Sequence, residues 1–203
     1  MTNAAVEHHL IRLFLAAGHG SALEAEVALR AAVEAGVPPS LIEESLLLLI
    51  PYGGVPRALL AFGILRRMLP TLSAAVIGRP DPTGLRGKQA FEAVYANSTE
   101  TVTILLNNLH PDLAAAAVED AYGRVLARES FPWRTKEVLA VAFLVALGAE
   151  PQAQAHARAA LRHGASQNSI QLALELGMAR LDEAAQRGAM IAIAAALRTR
   201  TDS

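Results

Sequence analysis

Residues 20–48 recur at 148–176, displaced by a constant 128 positions. At that displacement Gly20/Gly148, Ala25/Ala153, Arg30/Arg158, Ala31/Ala159, Ala32/Ala160, Gly36/Gly164, Ile42/Ile170, Leu46/Leu174 and Leu48/Leu176 are identical. A chain built this way folds one helical unit twice. The two copies differ in their polar residues: His156 faces Ala28, and Tyr52-Gly53-Gly54-Val55-Pro56-Arg57 faces Arg180-Leu181-Asp182-Glu183-Ala184-Ala185. A site inherited by both copies would survive only in pieces.

The unit is helical by composition. Of 203 residues, 53% are hydrophobic and only 4% aromatic, so the core must come from Ala, Leu and Val. Small and straight-chain aliphatics favour packed helices over sheet. No segment alternates with period two, so an all-α fold is expected. Ser21-Ala22-Leu23-Glu24 and Ser40-Leu41-Ile42-Glu43 both read as capping boxes. Gly36 and Gly164 suit the residue just past a helix end. Helices are expected from 21 to 35, from 40 to Pro51, and from Arg57 to Leu69 after a Tyr-Gly-Gly-Val turn. Further helices are expected over 88–107, 111–127, 134–147, 151–164, 166–180 and 183–198. The segment Val138–Leu147 is apolar on nearly every face, which marks a buried central helix. Pro70, Gly78, Pro80, Pro82, Gly84 and Gly87 crowd one stretch, so the sequence divides into a first unit 1–70, a linker 71–87 and a second unit 88–203.

Several function classes drop out. The net charge is −1, from 18 basic and 19 acidic residues, with no basic excess for nucleic acid. The absence of cysteine removes disulfides, thiolate metal sites and thiol redox chemistry. The longest apolar runs are about half of what a bilayer span needs. Nor does the N-terminus show a basic region leading into a long apolar run. A cytoplasmic protein with no membrane association is expected. The high apolar content further suggests surface hidden in a homo-oligomer, a trimer or a dimer.

Among six histidines, His8, His9, His19, His110 and His163 stand at helix starts, helix ends or turns. No pair has the spacing of a helical metal site. His156 lies mid-helix with no counterpart in the first copy, where it either packs or acts as an acid–base group. Glu137 opens the apolar helix before it, where the helix dipole favours a carboxylate and desolvation can raise its pKa. Glu137 lies eleven residues before Gly148 and His156 eight after it, so antiparallel helices would leave the two groups out of level, sharing a pocket or a water chain. Tyr52-Gly-Gly-Val-Pro-Arg57 reads as an interhelical turn, or as a pocket mouth where Arg57 holds a carboxylate.

Arg134 to Gly148, followed by His156 to Ser166, resembles the core of the carboxymuconolactone decarboxylase family, within the alkyl hydroperoxidase D-like superfamily. Leu109-His-Pro-Asp-Leu113 and Tyr122-Gly-Arg-Val-Leu126 are similar to the stretch preceding that core. Ala35-Gly-Val37, Ile42-Glu-Glu44 and Pro51 to Ala58 are similar to its C-terminal half in the first copy. The resemblance implies an alkyl hydroperoxidase D-like helical fold in two tandem related units, and trimers or hexamers. In the hydroperoxidase branch a Cys-x-x-Cys pair precedes the histidine; Ala149 and Gln152 stand there in this chain, which excludes a thiol peroxidase. In the decarboxylase branch the resemblance assigns Glu137 and His156 as catalytic groups, with Tyr52 and Arg57 lining a substrate pocket. It implies a small carboxylated lactone as substrate and no metal or organic cofactor. The alternative is a degenerate member that binds a ligand or partner without catalysis. Since the second copy lacks the Tyr-Gly string, a working site has to be assembled between copies or between subunits.

Overall fold

The computed structural model describes residues 3–71 and 84–198, and among these the regular structure is entirely helical. The architecture is all-α, as the composition requires. Most of the expected linker, 72–83, lies outside the described residues.

The internal repeat is visible in the helix boundaries. Helix α1 (Asn3–His19) corresponds to α8 (Trp133–Ala146). Helix α2 (Ala22–Glu34) corresponds to α9 (Glu150–Arg162), with both ends displaced by the same 128 positions as the sequence. Helix α3 (Pro39–Leu47) starts 128 residues before α10 (Gln167–Met178), and α4 (Leu49–Met68) is answered by α11 (Glu183–Arg198). The closures match too. Gly36 and Gly164 take φ of 75° and 86°, and the residue after each closes its helix with the same bond: Val37 N to Ala32 O and Ala165 N to Ala160 O, 3.0 and 2.8 Å. A left-handed residue is needed there, and glycine adopts it without strain.

The chain forms two compact units that do not follow the division at 71–87. One comprises Met1–Ala75 with Phe131–Ser203, the other Val76–Ser130. Both copies of the repeat therefore share one unit instead of forming separate bodies 1–70 and 88–203. The reason is packing. Helix α8 is buried on every face from Thr135 to Val145, and α1 is buried from Leu10 to Gly18 except at Arg12. The two pack on each other and meet at Phe14 and Phe143, ring centroids 5.3 Å apart. Neither copy could cover its central helix alone. Each Leu, Ile, Val or Phe buried this way contributes about 1.5–3 kcal/mol.

Capping confirms one expectation and corrects another. Ser21 and Glu24 close a reciprocal box at the start of α2, 2.7 and 3.2 Å. Ser40 and Glu43 do not. The N-cap of α3 is Pro38, which has no side-chain acceptor, and Glu43 instead pairs with Arg66 at 2.9 Å. Helices α3 and α4 then meet at 101°, and α4 is itself broken at Gly54, where φ is 81°. Pro56 follows that break and restarts the helix, as the Tyr-Gly-Gly-Val turn predicts.

The second unit holds α5 (Leu85–Tyr95), a 3₁₀ turn (Ala96–Ser98), α6 (Thr99–Leu109), α7 (Pro111–Ala115) and a π-helix (Ala116–Leu126). The sequence predicts one helix over 88–107; it is interrupted at Ala96, whose φ is 46°, and the Ala96 carbonyl accepts the Thr99 backbone N–H and, at 2.7 Å, Thr99 Oγ1. Short hydroxyl and amide side chains compete in this way for backbone bonds. Phe91 packs edge-on to Tyr122 at 4.9 Å, joining α5 to the π-helix. Among the described residues no single helix is long and apolar enough to cross a membrane.

Candidate functional site

Helix α8 carries Glu137 into the centre of the larger unit, where the residue is 0% exposed; His156 of α9 is 3% exposed. Their side chains touch directly, Nδ1 of His156 lying 2.7 Å from Oε2 of Glu137. The sequence led to an expected mismatch in level, with the two groups sharing a pocket or a water chain. That mismatch is three residues, about 4.5 Å of helix rise, and two side chains of this length span it. A Glu137 carboxylate would make Nδ1 the donor of this bond, which fixes the orientation of the ring. Oε1 of Glu137 is buried with no hydrogen-bond partner.

Tyr52 arrives from the first copy. Its ring lies edge-on to His156, centroids 6.0 Å apart and planes at 72°. Phe143 at 5.8 Å and Phe14 at 6.1 Å pack around it. The break at Gly54 turns the chain here, and a side chain on Gly53 would sit 3.6 Å from Phe143 Cζ. The structure therefore gathers Glu137, His156 and Tyr52 into one cluster spanning both copies.

Arg57 is directed elsewhere: its Nη1 donates to the Gly20 carbonyl at 2.7 Å, fastening α4 to the turn between α1 and α2. Arg162 is a guanidinium that feels the Glu137 charge. Burial lowers the Arg162 pKa most; the Glu137 carboxylate opposes it, and the like charge of Arg158 adds a smaller lowering. Arg158 and Arg162 stand four apart on the helix that carries His156, and Nε of Arg158 is buried without a hydrogen-bond partner. The sequence reading passed over both; their i, i+4 spacing on α9 was the available signal.

Three of the remaining histidines have structural partners. His19 lies on Phe143 with ring centroids 4.1 Å apart, and His163 stacks on Trp133 at 5.3 Å. His110 Nδ1 accepts from the Asp112 backbone at 3.1 Å and caps α7. Trp133 also carries Lys136, whose Nζ lies 4.5 Å from the ring centroid and which is 2% exposed. The larger unit has a groove of about 490 Å³, and it opens between α1, α2 and the end of α10, away from Glu137 and His156.

The family model for the carboxymuconolactone decarboxylase family matches residues 111–196, the stretch from α7 to α11. Peroxisomal protein 2 of Schizosaccharomyces pombe is 34% identical over 98 residues, which make up 47% of this chain and 46% of that protein. The matched stretch thus spans less than half the length of that relative.

Proposed function

From the premise that residues 111–196 belong to the carboxymuconolactone decarboxylase family, we propose that the chain carries out cofactor-free decarboxylation, or closely related lyase chemistry, on a small carboxylated lactone. The observation that carries this reading is the direct bond between two buried ionisable groups, Glu137 and His156, beside a tyrosine from the other copy. Burying a carboxyl–imidazole pair costs desolvation energy, and buried ionisable pairs concentrate at functional sites.

The chemistry follows from the arrangement. The bond between the ring carbon and the departing carboxylate breaks and carbon dioxide leaves. Its electron pair passes into the conjugated lactone. Protonated His156 gives a proton to the carbon that receives the pair, and solvent restores it. Glu137 orients the ring and stabilises the imidazolium. The dry surroundings weaken the leaving carboxylate. Arg162 is the candidate to hold a carboxylate that stays, in place of Arg57.

The test is carbon dioxide release from carboxymuconolactone and related carboxylated lactones. His156→Ala should lower turnover about 100-fold or more, the usual weight of a general acid. Undiminished release from that variant refutes the assignment. A second reading is favoured by burial: with Glu137 at 0% and His156 at 3% exposed, the pair also suits a member that keeps the fold and binds without catalysis. Failure of every lactone with the unaltered chain selects it.

Assembly as a homodimer or homotrimer belongs to the same proposal. Leu59 at 69% and Ile191 at 68% exposure are apolar surface that a subunit contact would cover. Light scattering after gel filtration reads the mass. The proposed compartment is the cytoplasm, and the name of the Schizosaccharomyces pombe relative supplies the rival, the peroxisome. Microscopy of a tagged chain separates them.

A further inference from the structure

The repeat makes a second prediction about sites. Displacing Glu137, His156 and Tyr52 by 128 positions leads to His9, Ala28 and Arg180. All three line the groove of about 490 Å³. At the Glu137–His156 site these positions are filled by a buried carboxylate–imidazole pair from the second copy and an aromatic ring from the first. At the groove the carboxylate is replaced by the His9 imidazole, the imidazole by the Ala28 methyl group, and the ring by Arg180. Arg180 swings outward to Glu24, 2.9 Å away, and the space stands open. Leu23 and Val27 remain 71% and 59% exposed at the lip.

The lining has a definite chemistry. Its walls are aliphatic, and its volume falls within the range of small-molecule sites, roughly 300–1,000 Å³. Its charged groups are Arg12, Arg180 and Glu24, with His9 half-buried beside them. Glu24 is already committed: one oxygen accepts from the Ser21 backbone and the other from Arg180. Arg12 is exposed and makes no hydrogen bond or ion pair among the described residues. The groove thus offers an apolar bed with an excess of positive charge.

We propose that this groove, the counterpart of the Glu137–His156 site, binds a small amphipathic carboxylate, its aliphatic body against Leu23 and Val27 and its carboxylate on Arg12 and Arg180. The site is separate from the proposed decarboxylation, since neither Glu137 nor His156 lines it. Octanoate and 1-octanol, titrated by calorimetry into the full chain, are the probes. Octanoate should bind about tenfold more tightly than the alcohol, the worth of charge-assisted hydrogen bonding to guanidinium. Arg12→Gln should erase most of that preference without changing octanol binding. Ala28→Trp should fill the groove and abolish binding of both, with helicity checked by circular dichroism. If Ala28→Trp does not fold, Arg12→Gln decides, because the Arg12 side chain makes no hydrogen bond or ion pair among the described residues. Equal affinity for acid and alcohol, or octanoate binding unaffected by Arg12→Gln, overturns the proposal. It is also overturned if octanoate fails to bind and Leu23→Glu lowers the oligomer mass, for then a second copy occupies the groove.

Discussion

His156 Nδ1 and Glu137 Oε2 lie 2.7 Å apart in the middle of the larger unit, on neighbouring helices, with almost no exposure. Removing one partner strands the other in a low-dielectric interior. His156→Ala should therefore cost about 3–5 kcal/mol in urea unfolding. Replacing both by leucine removes the charges together and should leave stability within about 2 kcal/mol of the original. If the single variant proves as stable as the parent, the pair is more hydrated than its burial indicates.

Two glycines in helices should respond to alanine with opposite signs. At Gly177 an added Cβ would stand 2.7 Å from the Ala142 carbonyl oxygen and 2.8 Å from Val145 Cγ1, so α10 would have to move off α8. Overpacking of this kind costs about 1–3 kcal/mol, more than the propensity gain of about 1 kcal/mol. At Gly63 the nearest atom is the flexible Nη1 of Arg67 at 4.0 Å. Gly63→Ala should stabilise by about 0.5–1 kcal/mol. Thermal unfolding of the two variants, read side by side, checks the sign of each.

Local signals in the sequence were legible where the chain alone decides the outcome. The cap at Ser21, the break at Gly54 and the closures at Gly36 and Gly164 are short-range events that follow from residue type. The burial of α8 was legible because its pattern is apolar all round. Tertiary partners were not. Glu43 matches a capping box but is taken by Arg66, 23 residues away. The Glu137–His156 bond depends on how α8 and α9 face each other, and the interleaving of the two copies depends on α1 meeting α8. A repeat seen in sequence says that a unit is duplicated, and leaves open whether its copies stand apart.

The two serines of the expected capping boxes turn that distinction into a measurement. Ser21 Oγ accepts from the Glu24 backbone at 3.2 Å, so Ser21→Ala should destabilise by about 1 kcal/mol. Ser40 lies inside α3, is exposed and caps nothing. Ser40→Ala should be neutral or stabilise by a few tenths of a kcal/mol, through propensity alone. Equal losses at both positions would mean that the second box forms after all.

His19 gives the chain a pH dependence of known sign. Burial lowers its pKa, the nearby charges of Arg180 and Arg57 add to this, and a hydrogen bond to the Phe143 backbone opposes it. The folded protein therefore prefers the neutral imidazole, while the unfolded chain takes up a proton near the ordinary value of about 6.5. Between those two pKa values the unfolded state binds more protons. Stability is complete above about 6.5 and declines as the pH falls through that value toward the lower folded pKa. His8, also lowered by burial first and then by Arg12, pushes the same way. His19→Gln removes one titrating group, so its melting temperature should fall less than that of the unaltered chain between pH 7.5 and pH 5.5. Identical pH slopes for the two proteins would show that the imidazole is protonated in the fold as readily as in water, which contact with the Phe143 ring and two guanidinium neighbours should prevent.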